Sequence, residues 1–212
     1  MSDAVVREGR VLRLRVARGR HGTLDGDALP LIAEALNSAD PAEVGAALVV
    51  SEGASFCTGG DVKAFAGAED RGAYVGDLAE AFHGMVTAMA TCAVPVVAAV
   101  PGWAAGAGMS VVCAVDIAVA GRSTRLRPAY PGIGFSPDGG MSWTLPRLVG
   151  SGNARRILLT DEVLDAETAA ASPRTPKALP RPPGPRRSPR SPVPPRRAAP
   201  RACSRARRPA AP

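Results

Sequence analysis

The distribution of proline and arginine divides the chain into two unlike parts, and only one of them has the composition of a folded domain. Residues 172–212 contain 13 of the 21 prolines, 11 arginines and one lysine, with no aspartate or glutamate. Closely spaced prolines interrupt helices, and the segment has too few large apolar residues to build a core. We therefore predict a folded domain over residues 1–171 and a disordered Pro/Arg-rich tail over residues 172–212.

The junction between these parts interrupts a helical pattern without a linker. Residues 169–171 are alanines that continue a helix-like run, and Ser172 and Pro173 end it at once. Out-of-frame translation of GC-rich DNA produces this mixture of residues, so we predict that the tail derives from a frameshift. The alternative is a genuine basic extension that binds anionic partners or proline-reading domains.

The charge of residues 1–171 argues against a nucleic-acid-binding domain. The whole chain has a net charge of +7 and the tail contributes +12, which leaves −5 for these residues. An acidic body gives no electrostatic reason to bind nucleic acid. The N-terminus lacks a basic segment followed by an apolar run, and no uninterrupted apolar stretch reaches about 18 residues. We expect a cytoplasmic protein without a membrane segment.

The four cysteines give no sign of a metal site or a disulfide framework. Cys57, Cys92, Cys113 and Cys203 lack a spacing such as C-x2-C, and three of them lie among apolar or small residues. We expect reduced thiols, as in a cytosolic protein, and no bound metal.

Short apolar runs alternate with amphipathic segments along the first 171 residues, which predicts an α/β fold with βα connections. The predicted strands cover residues 11–16, 46–50, 96–100 and 115–120. The predicted helices cover residues 25–36, 62–65, 77–89, 106–112, 142–149, 153–159 and 165–171. Asp25 and Asp61 stand where they can cap helices, and the last helix has Asp165 or Thr160 as a possible cap.

Two of the predicted strands end in small residues and turn directly into a helix. The first turn is Ser-Phe-Cys-Thr-Gly-Gly-Asp at residues 55–61, and the second is Pro-Gly-Trp-Ala-Ala-Gly-Ala-Gly at residues 101–108. Small residues allow a ligand close to the backbone, and the first N–H groups of a helix have no partner within it. Brought together, the two turns would form an oxyanion hole for an enolate.

Five motifs, taken in order, resemble the crotonase superfamily, also called the enoyl-CoA hydratase/isomerase family. The resemblance covers roughly residues 11–171 and rests on residues 21–25, 56–61, 102–108, 132–140 and 145–150. It implies a spiral of ββα units, assembly as trimers or dimers of trimers, and an acyl-CoA thioester as substrate. Coenzyme A would enter as part of the substrate, with no further cofactor.

The resemblance also assigns roles at the two turns. Gly60 and Ala107 would supply the oxyanion-hole N–H groups, with Ala107 at the positive end of a helix dipole. Family hydratases use two glutamates, and the matching positions here are Ser110 and, as we align it, Ala129. Because neither is a carboxylate, we do not expect efficient hydration.

One carboxylate remains at a position that relatives use in catalysis. Asp138 lies in the Ser-Pro-Asp-Gly-Gly motif of residues 136–140. In some relatives an aspartate of this motif shuttles a proton during double-bond isomerisation, and in the dehalogenase branch it is a nucleophile. The alternative is that Asp138 caps a helix that starts near Gly139.

The same motifs supply candidate substrate contacts: His21, Phe56, Thr58, Gly59, Asp61, Trp103, Gly106, Ser110 and Tyr130. Asp61 is also the expected cap of the helix over residues 62–65. His83, alone on an amphipathic helix, is predicted to be structural or exposed.

We therefore predict an enoyl-CoA isomerase of the crotonase type in which Asp138 moves the proton. Two alternatives stay open. Family members continue past Ala171 into helices that close the acyl site and build the trimer, so a chain without them could be a non-catalytic protein that does not form the trimer. An enzyme-like domain with a tail that binds nucleic acid or other anions is the other alternative.

Overall fold

The computed structural model describes residues 3–171, which contain nine strands and seven α-helices. The strands are β1 (Val5–Glu8), β2 (Val11–Arg18), β3 (Thr23–Leu24), β4 (Ala46–Ser51), β5 (Val96–Val100), β6 (Trp103–Ala105), β7 (Ile117–Ala120), β8 (Arg125–Arg127) and β9 (Leu164–Asp165). The helices are α1 (Ala28–Asn37), α2 (Val62–Gly67), α3 (Arg71–Thr91), α4 (Ala107–Ala114), α5 (Met141–Val149), α6 (Ser151–Thr160) and α7 (Ala166–Ala171). The predictions about the tail and Cys203 fall outside the described residues.

The strands form two sheets. The larger sheet has the order β1-β2-β4-β5-β7, with β3 paired to β2, and its central neighbours β2, β4, β5 and β7 are parallel. The smaller sheet has the order β6-β8-β9. Buried valine and alanine side chains of β4 and β5 face the core, as expected for parallel strands covered on their faces.

A ββα unit recurs along the chain. Strands β5 and β6 are followed by α4, and β7 and β8 are followed by α5. Within each unit the first strand joins the larger sheet and the second joins the smaller sheet. Because β5 pairs with β7 and β6 pairs with β8, both in parallel, successive units stack on one another. This arrangement confirms the α/β class and the repeated ββα organisation.

The long elements predicted from the sequence are present, with boundaries shifted by a few residues. The helix predicted over residues 77–89 is the second part of α3, which begins at Arg71 behind the cap Asp70. Asp61 and Asp165 act as caps, since Asp61 accepts from two N–H groups of α2 and Asp165 accepts from Thr168 at 2.8 Å. The short strands β1, β3, β6, β8 and β9 were not predicted, because two to four residues carry no clear period.

The prediction that Asp25 caps α1 is wrong. The helix begins one residue after Asp27, whose side chain makes no capping hydrogen bond. Asp25 is instead buried and pairs with Arg15 and Arg18. A carboxylate with buried cationic partners gains more from them than from exposed N–H groups.

Arg15 is a buried cation at the centre of this polar cluster. Its side chain is 6% exposed and lies 3.0 Å from Asp25 and 3.1 Å from Glu52, and it also donates to Asp3. These partners come from the N-terminal segment, the loop before α1 and the turn after β4. The guanidinium therefore ties three separate segments to β2.

The apolar core lies between the larger sheet and the helices α1 and α3. Phe56, Phe82 and Met85 are among its largest fully buried side chains. The cysteines within residues 3–171 are buried thiols, and burial raises the pKa of Cys57 and of Cys113 to about 12. Among these residues no helix is both long and apolar enough to cross a membrane.

Removing one partner of the buried ion pair should destabilise the fold. We expect Asp25→Ala to lower the free energy of unfolding by about 3–5 kcal/mol, because it leaves the Arg15 charge buried without its closest buried partner. Urea unfolding followed by circular dichroism measures this loss. The control Glu43→Ala removes the exposed pair with Arg7 and should cost less than about 1 kcal/mol. Equal losses in the two variants would contradict this account.

Candidate active site

Backbone hydrogen bonds bring the two predicted turns together. The N–H of Cys57 donates to Trp103 at 3.1 Å, and the N–H of Ala105 donates to Cys57 at 2.8 Å. This short parallel bridge places the first turn beside the start of α4. A Cβ on Gly59 would lie 3.3 Å from the carbonyl oxygen of Ala105. The two turns are therefore in direct contact.

Among the backbone N–H groups at this contact, one on each turn has no hydrogen-bond partner within residues 3–171 and is matched by the family resemblance. These two groups belong to Gly60 and to Ala107, the first residue of α4. The preceding residue, Gly106, has φ +55°, a conformation that side chains disfavour, and its N–H donates to Arg127 at 3.1 Å. Unpaired N–H groups at a helix start attract a negatively charged oxygen. The arrangement has the composition of an oxyanion hole.

A glycine inside α4 permits this close approach. A Cβ on Gly108 would lie only 2.0 Å from the carbonyl oxygen of Cys57. Any side chain there would push α4 away from the first turn. Gly108 thus sets the distance between the two halves of the candidate oxyanion hole.

Both turns open onto one cavity of about 420 Å³. Its wall is mainly apolar, with side chains from α2, α3 and the loop before α5. The lining residues used below are Gly60, Phe65, Phe82, Ala107, Arg127, Tyr130, Phe135, Asp138 and Asp161. The rings of Phe65 and Phe135 are nearly parallel, with centroids 6.5 Å apart.

The carboxylate of Asp138 lines this cavity and does not cap a helix. The N-cap of α5 is Gly140, which makes no side-chain capping bond. Asp138 accepts a hydrogen bond from the hydroxyl of Tyr130, with 2.6 Å between Oη and Oδ1. The capping alternative considered from the sequence is therefore wrong, because the carboxylate faces Tyr130 instead.

Ser110 is fully buried, and its hydroxyl faces Tyr130 and the backbone of Asp138. Its Oγ lies 3.0 Å from the hydroxyl oxygen of Tyr130 and donates to the carbonyl of Asp138 at 3.0 Å. The family resemblance matches Ser110 and Ala129 to the two glutamate positions of the hydratases. In the structure the side chain that faces Ser110 is that of Tyr130, while the N–H of Ala129 donates to Asp161 at 2.7 Å.

Asp161, the second carboxylate that lines the cavity, is engaged in a tight ion pair. Arg127 donates to its Oδ2 through Nε at 2.9 Å and Nη2 at 2.6 Å. Burial raises the pKa of Asp161, but hydrogen bonds from Arg127 and Ala129 outweigh this effect and hold the pKa below its ordinary value. Asp161 is therefore a structural anion, and Asp138 is the cavity carboxylate without a cationic partner among the described residues.

Comparison with known proteins agrees with this geometry. The family described as Enoyl-CoA hydratase/isomerase matches residues 8–173, which is more than half of the chain. The chain belongs to this family. Its fold is therefore that of the crotonase superfamily, as the motifs predicted.

The relatives of this family member include a hydratase by name and an isomerase by name. A protein named "Probable enoyl-CoA hydratase" from Mycobacterium tuberculosis is 38% identical over 61% of the chain and 50% of the relative. The 1,2-epoxyphenylacetyl-CoA isomerase of Escherichia coli is 36% identical over 58% of the chain and 47% of the relative. The chain spans about half the length of these curated relatives.

Solved structures share the same fold. The crystal structure of an enoyl-CoA hydratase from Polaromonas sp. JS666 superposes with a TM-score of 0.70 and 32% identity. The match covers 77% of this chain and 65% of that one.

The cavity of this crotonase-family chain gathers part of the predicted site. Besides the oxyanion-hole pair, Asp138 and Tyr130, its lining includes Thr58, Gly59 and Gly106. The other predicted contacts lie elsewhere. His21 is exposed, and its carbonyl accepts a hydrogen bond from the hydroxyl of Thr58. Asp61 caps α2, and Phe56 lies in the apolar core. Trp103 lies on β6 and is 41% exposed. Ser110 lies behind Tyr130, outside the lining.

Several lining residues were not predicted. The inner face of α3 contributes four of them: Val75, Leu78, Ala79 and Phe82. Their spacing of three and four residues places them on one face of the helix, but the sequence does not show that this face lines a cavity. His83 is exposed, as predicted, yet its Nε2 accepts from the N–H of Gly139 at 3.1 Å. No group of metal-ligating side chains occurs among residues 3–171.

A methyl group at Gly108 should damage both the fold and the site. We expect Gly108→Ala to cost about 1–3 kcal/mol of stability, because its Cβ would overlap the carbonyl oxygen of Cys57. Thermal unfolding measures the loss. The control Gly84→Ala lies in the interior of α3 with open space around it, and it should be neutral or slightly stabilising. A Gly108→Ala protein as stable as the wild type would contradict the proposed close approach.

The Arg127–Asp161 pair should make stability depend on pH. Since the pKa of Asp161 is lowered in the folded state, its contribution is complete above the ordinary aspartate pKa of about 3.9 and is lost as pH falls below it. Asp161→Asn removes this charge, and asparagine, like aspartate, readily adopts the φ of +54° found at this position. The stability difference between wild type and variant, from urea unfolding, should be constant near pH 7 and shrink towards pH 3. A difference independent of pH would contradict this prediction.

Proposed function

We propose that the protein is an acyl-CoA enzyme that moves the double bond of an enoyl-CoA thioester, with Asp138 as the base. The observation that carries the proposal is that the Asp138 carboxylate and the unpaired N–H groups of Gly60 and Ala107 line one cavity. The isomerase name of the Escherichia coli relative supports the reaction type. Our proposal also includes a cytoplasmic location.

The chemistry begins at the thioester carbonyl. When its oxygen accepts hydrogen bonds from Gly60 and Ala107, negative charge on that oxygen is stabilised and a neighbouring carbon becomes acidic. Asp138 removes a proton from the α carbon of a 3-enoyl thioester, which leaves a dienolate. The same carboxyl group returns the proton to the γ carbon, and the double bond moves into conjugation with the carbonyl. One base therefore completes the reaction, with no net change in atoms.

The side chains around Asp138 do not favour hydration. Addition of water needs a base to activate water and an acid to protonate the α carbon. Asp161, the other cavity carboxylate, is held by Arg127, and the site behind Asp138 holds the hydroxyls of Ser110 and Tyr130.

Replacement of the base should abolish isomerisation and leave binding intact. We expect Asp138→Ala and the isosteric Asp138→Asn to lower turnover of 3-hexenoyl-CoA by about 10²–10⁴-fold. Formation of the conjugated thioester is followed by ultraviolet absorbance, and binding of hexanoyl-CoA by calorimetry. The control Asp27→Asn changes an exposed carboxylate that immediately precedes α1 and should retain full turnover. Unchanged turnover in the Asp138 variants would refute the assignment.

Hydration should be a weak activity of the same protein. With 2-hexenoyl-CoA as substrate, we expect a hydration rate far below the isomerisation rate, because no second carboxylate is available to pair with Asp138. Loss of the conjugated absorbance measures hydration. A rapid hydration rate that survives Asp138→Asn would show that other groups activate water.

A further inference from the structure

Three side chains from separate elements fix Asp138 and the residue after it. Tyr130 contacts the carboxylate, Ser110 contacts its main-chain carbonyl, and His83 contacts the N–H of Gly139. We propose that Tyr130 and His83 are positioning residues, which hold the Asp138 carboxylate in the orientation needed for proton transfer. This inference rests on the proposed function, in which Asp138 is the base.

Tyr130 selects which carboxylate oxygen of Asp138 remains available. Its hydroxyl donates to Oδ1 at 2.6 Å, and Oδ2 has no hydrogen-bond partner among residues 3–171. The side chain of Tyr130 is almost fully buried, so its ring is held by packing. The hydroxyl of Ser110, 3.0 Å away, accounts for a second contact of the phenol. Oδ2 is therefore left to exchange a proton with the substrate.

Towards Asp138 the phenol acts as a donor. Burial and the negative charge of Asp138 raise the pKa of Tyr130 well above its ordinary value. The hydroxyl therefore keeps its proton and donates it to Oδ1 of Asp138. The other charged side chains that line the cavity, Arg127 and Asp161, are paired with each other.

His83 acts on the backbone rather than on the carboxylate. Its Nε2 accepts from the N–H of Gly139, so this nitrogen carries no proton in the structure. Gly139 has φ +55°, and a Cβ on it would lie 2.3 Å from the ring of Phe82. The turn that follows Asp138 is thus held against α3, by close packing on Phe82 and by the hydrogen bond that Gly139 donates to His83. Side chain and backbone of the base are fixed by different groups.

The two contacts predict different kinetic effects. Tyr130→Phe keeps the ring but releases Oδ1, and a misplacement of about 1 Å can lower a rate by about 100-fold, so we expect kcat to fall by about 10- to 100-fold with little change in KM. His83→Leu should lower kcat, whereas His83→Gln, whose side-chain carbonyl can accept the same hydrogen bond, should restore it.

The experiment compares Tyr130→Phe, His83→Leu, His83→Gln and Asp138→Asn with the wild type, using 3-hexenoyl-CoA as substrate. A reduced kcat with an unchanged KM in Tyr130→Phe, together with a low kcat in His83→Leu that His83→Gln restores, would support the proposal. An inactive Asp138→Asn together with wild-type behaviour of Tyr130→Phe and His83→Leu would overturn it and leave the proposed function standing. An active Asp138→Asn would instead overturn the proposed function.

A crystal structure of the Tyr130→Phe protein supplies a readout that does not need turnover. If Tyr130 positions the base, the Asp138 carboxylate should leave its wild-type orientation in the variant. An unchanged carboxylate would overturn the positioning role even if the wild type isomerised none of the thioesters tested. His83 is exposed, so its variants should fold and keep the comparison available.

Discussion

The pairing of Cys57 with β6 is the interaction on which the site depends. Two backbone hydrogen bonds, of 3.1 Å and 2.8 Å, join a loop after β4 to a strand after β5. The loop and β6 directly follow β4 and β5, which are parallel neighbours in the larger sheet. The register of these two strands therefore brings the two segments to the same edge of the sheet. The bridge then fixes their lateral distance, and Gly108 allows it to be short. The pair of N–H groups at Gly60 and Ala107 follows from this packing, without help from any side chain.

The acid–base part of the site has a different origin. Asp138 lies on a loop before α5, and its orientation is set by hydrogen bonds from Tyr130 and by contacts of the next residue with α3. Loops carry reactive groups well when the scaffold holds them in place. Arg127 and Asp161 contribute to this support by tying the loop after β8 to the end of α6. The base is therefore anchored from several elements, whereas the oxyanion hole is anchored by the sheet.

Features that depend on neighbouring residues, such as strands, helices and turns, could be predicted from the sequence. Contacts between side chains that lie far apart in the chain could not. Apolar runs and amphipathic segments identified the longer strands and the long helices, and the family resemblance of the two small-residue turns indicated Gly60 and Ala107. Asp25 was misread because a helix start and a buried ion pair use the same residue type, and its partner Arg15 lies ten residues earlier on a strand. The contact between Ser110 and Tyr130 joins a helix to an irregular loop 20 residues later, and no local pattern predicts it. The contact between His83 and Gly139 spans 56 residues, and no local pattern records it.

The backbone nature of the oxyanion hole has a consequence for how such a chain can change. Only proline removes a main-chain N–H, so at Gly60 and Ala107 carbonyl activation does not depend on the chemical nature of a side chain, although it does depend on glycines that permit the close approach. The reaction, in contrast, is decided by a few side chains around Asp138, Tyr130 and Ser110. Replacing one of these alters proton transfer while the means of stabilising an enolate persists. Stabilisation of the enolate by the backbone is thus separate from proton transfer by the side chains. A change of reaction therefore requires new side chains around Asp138 and leaves the fold as it is.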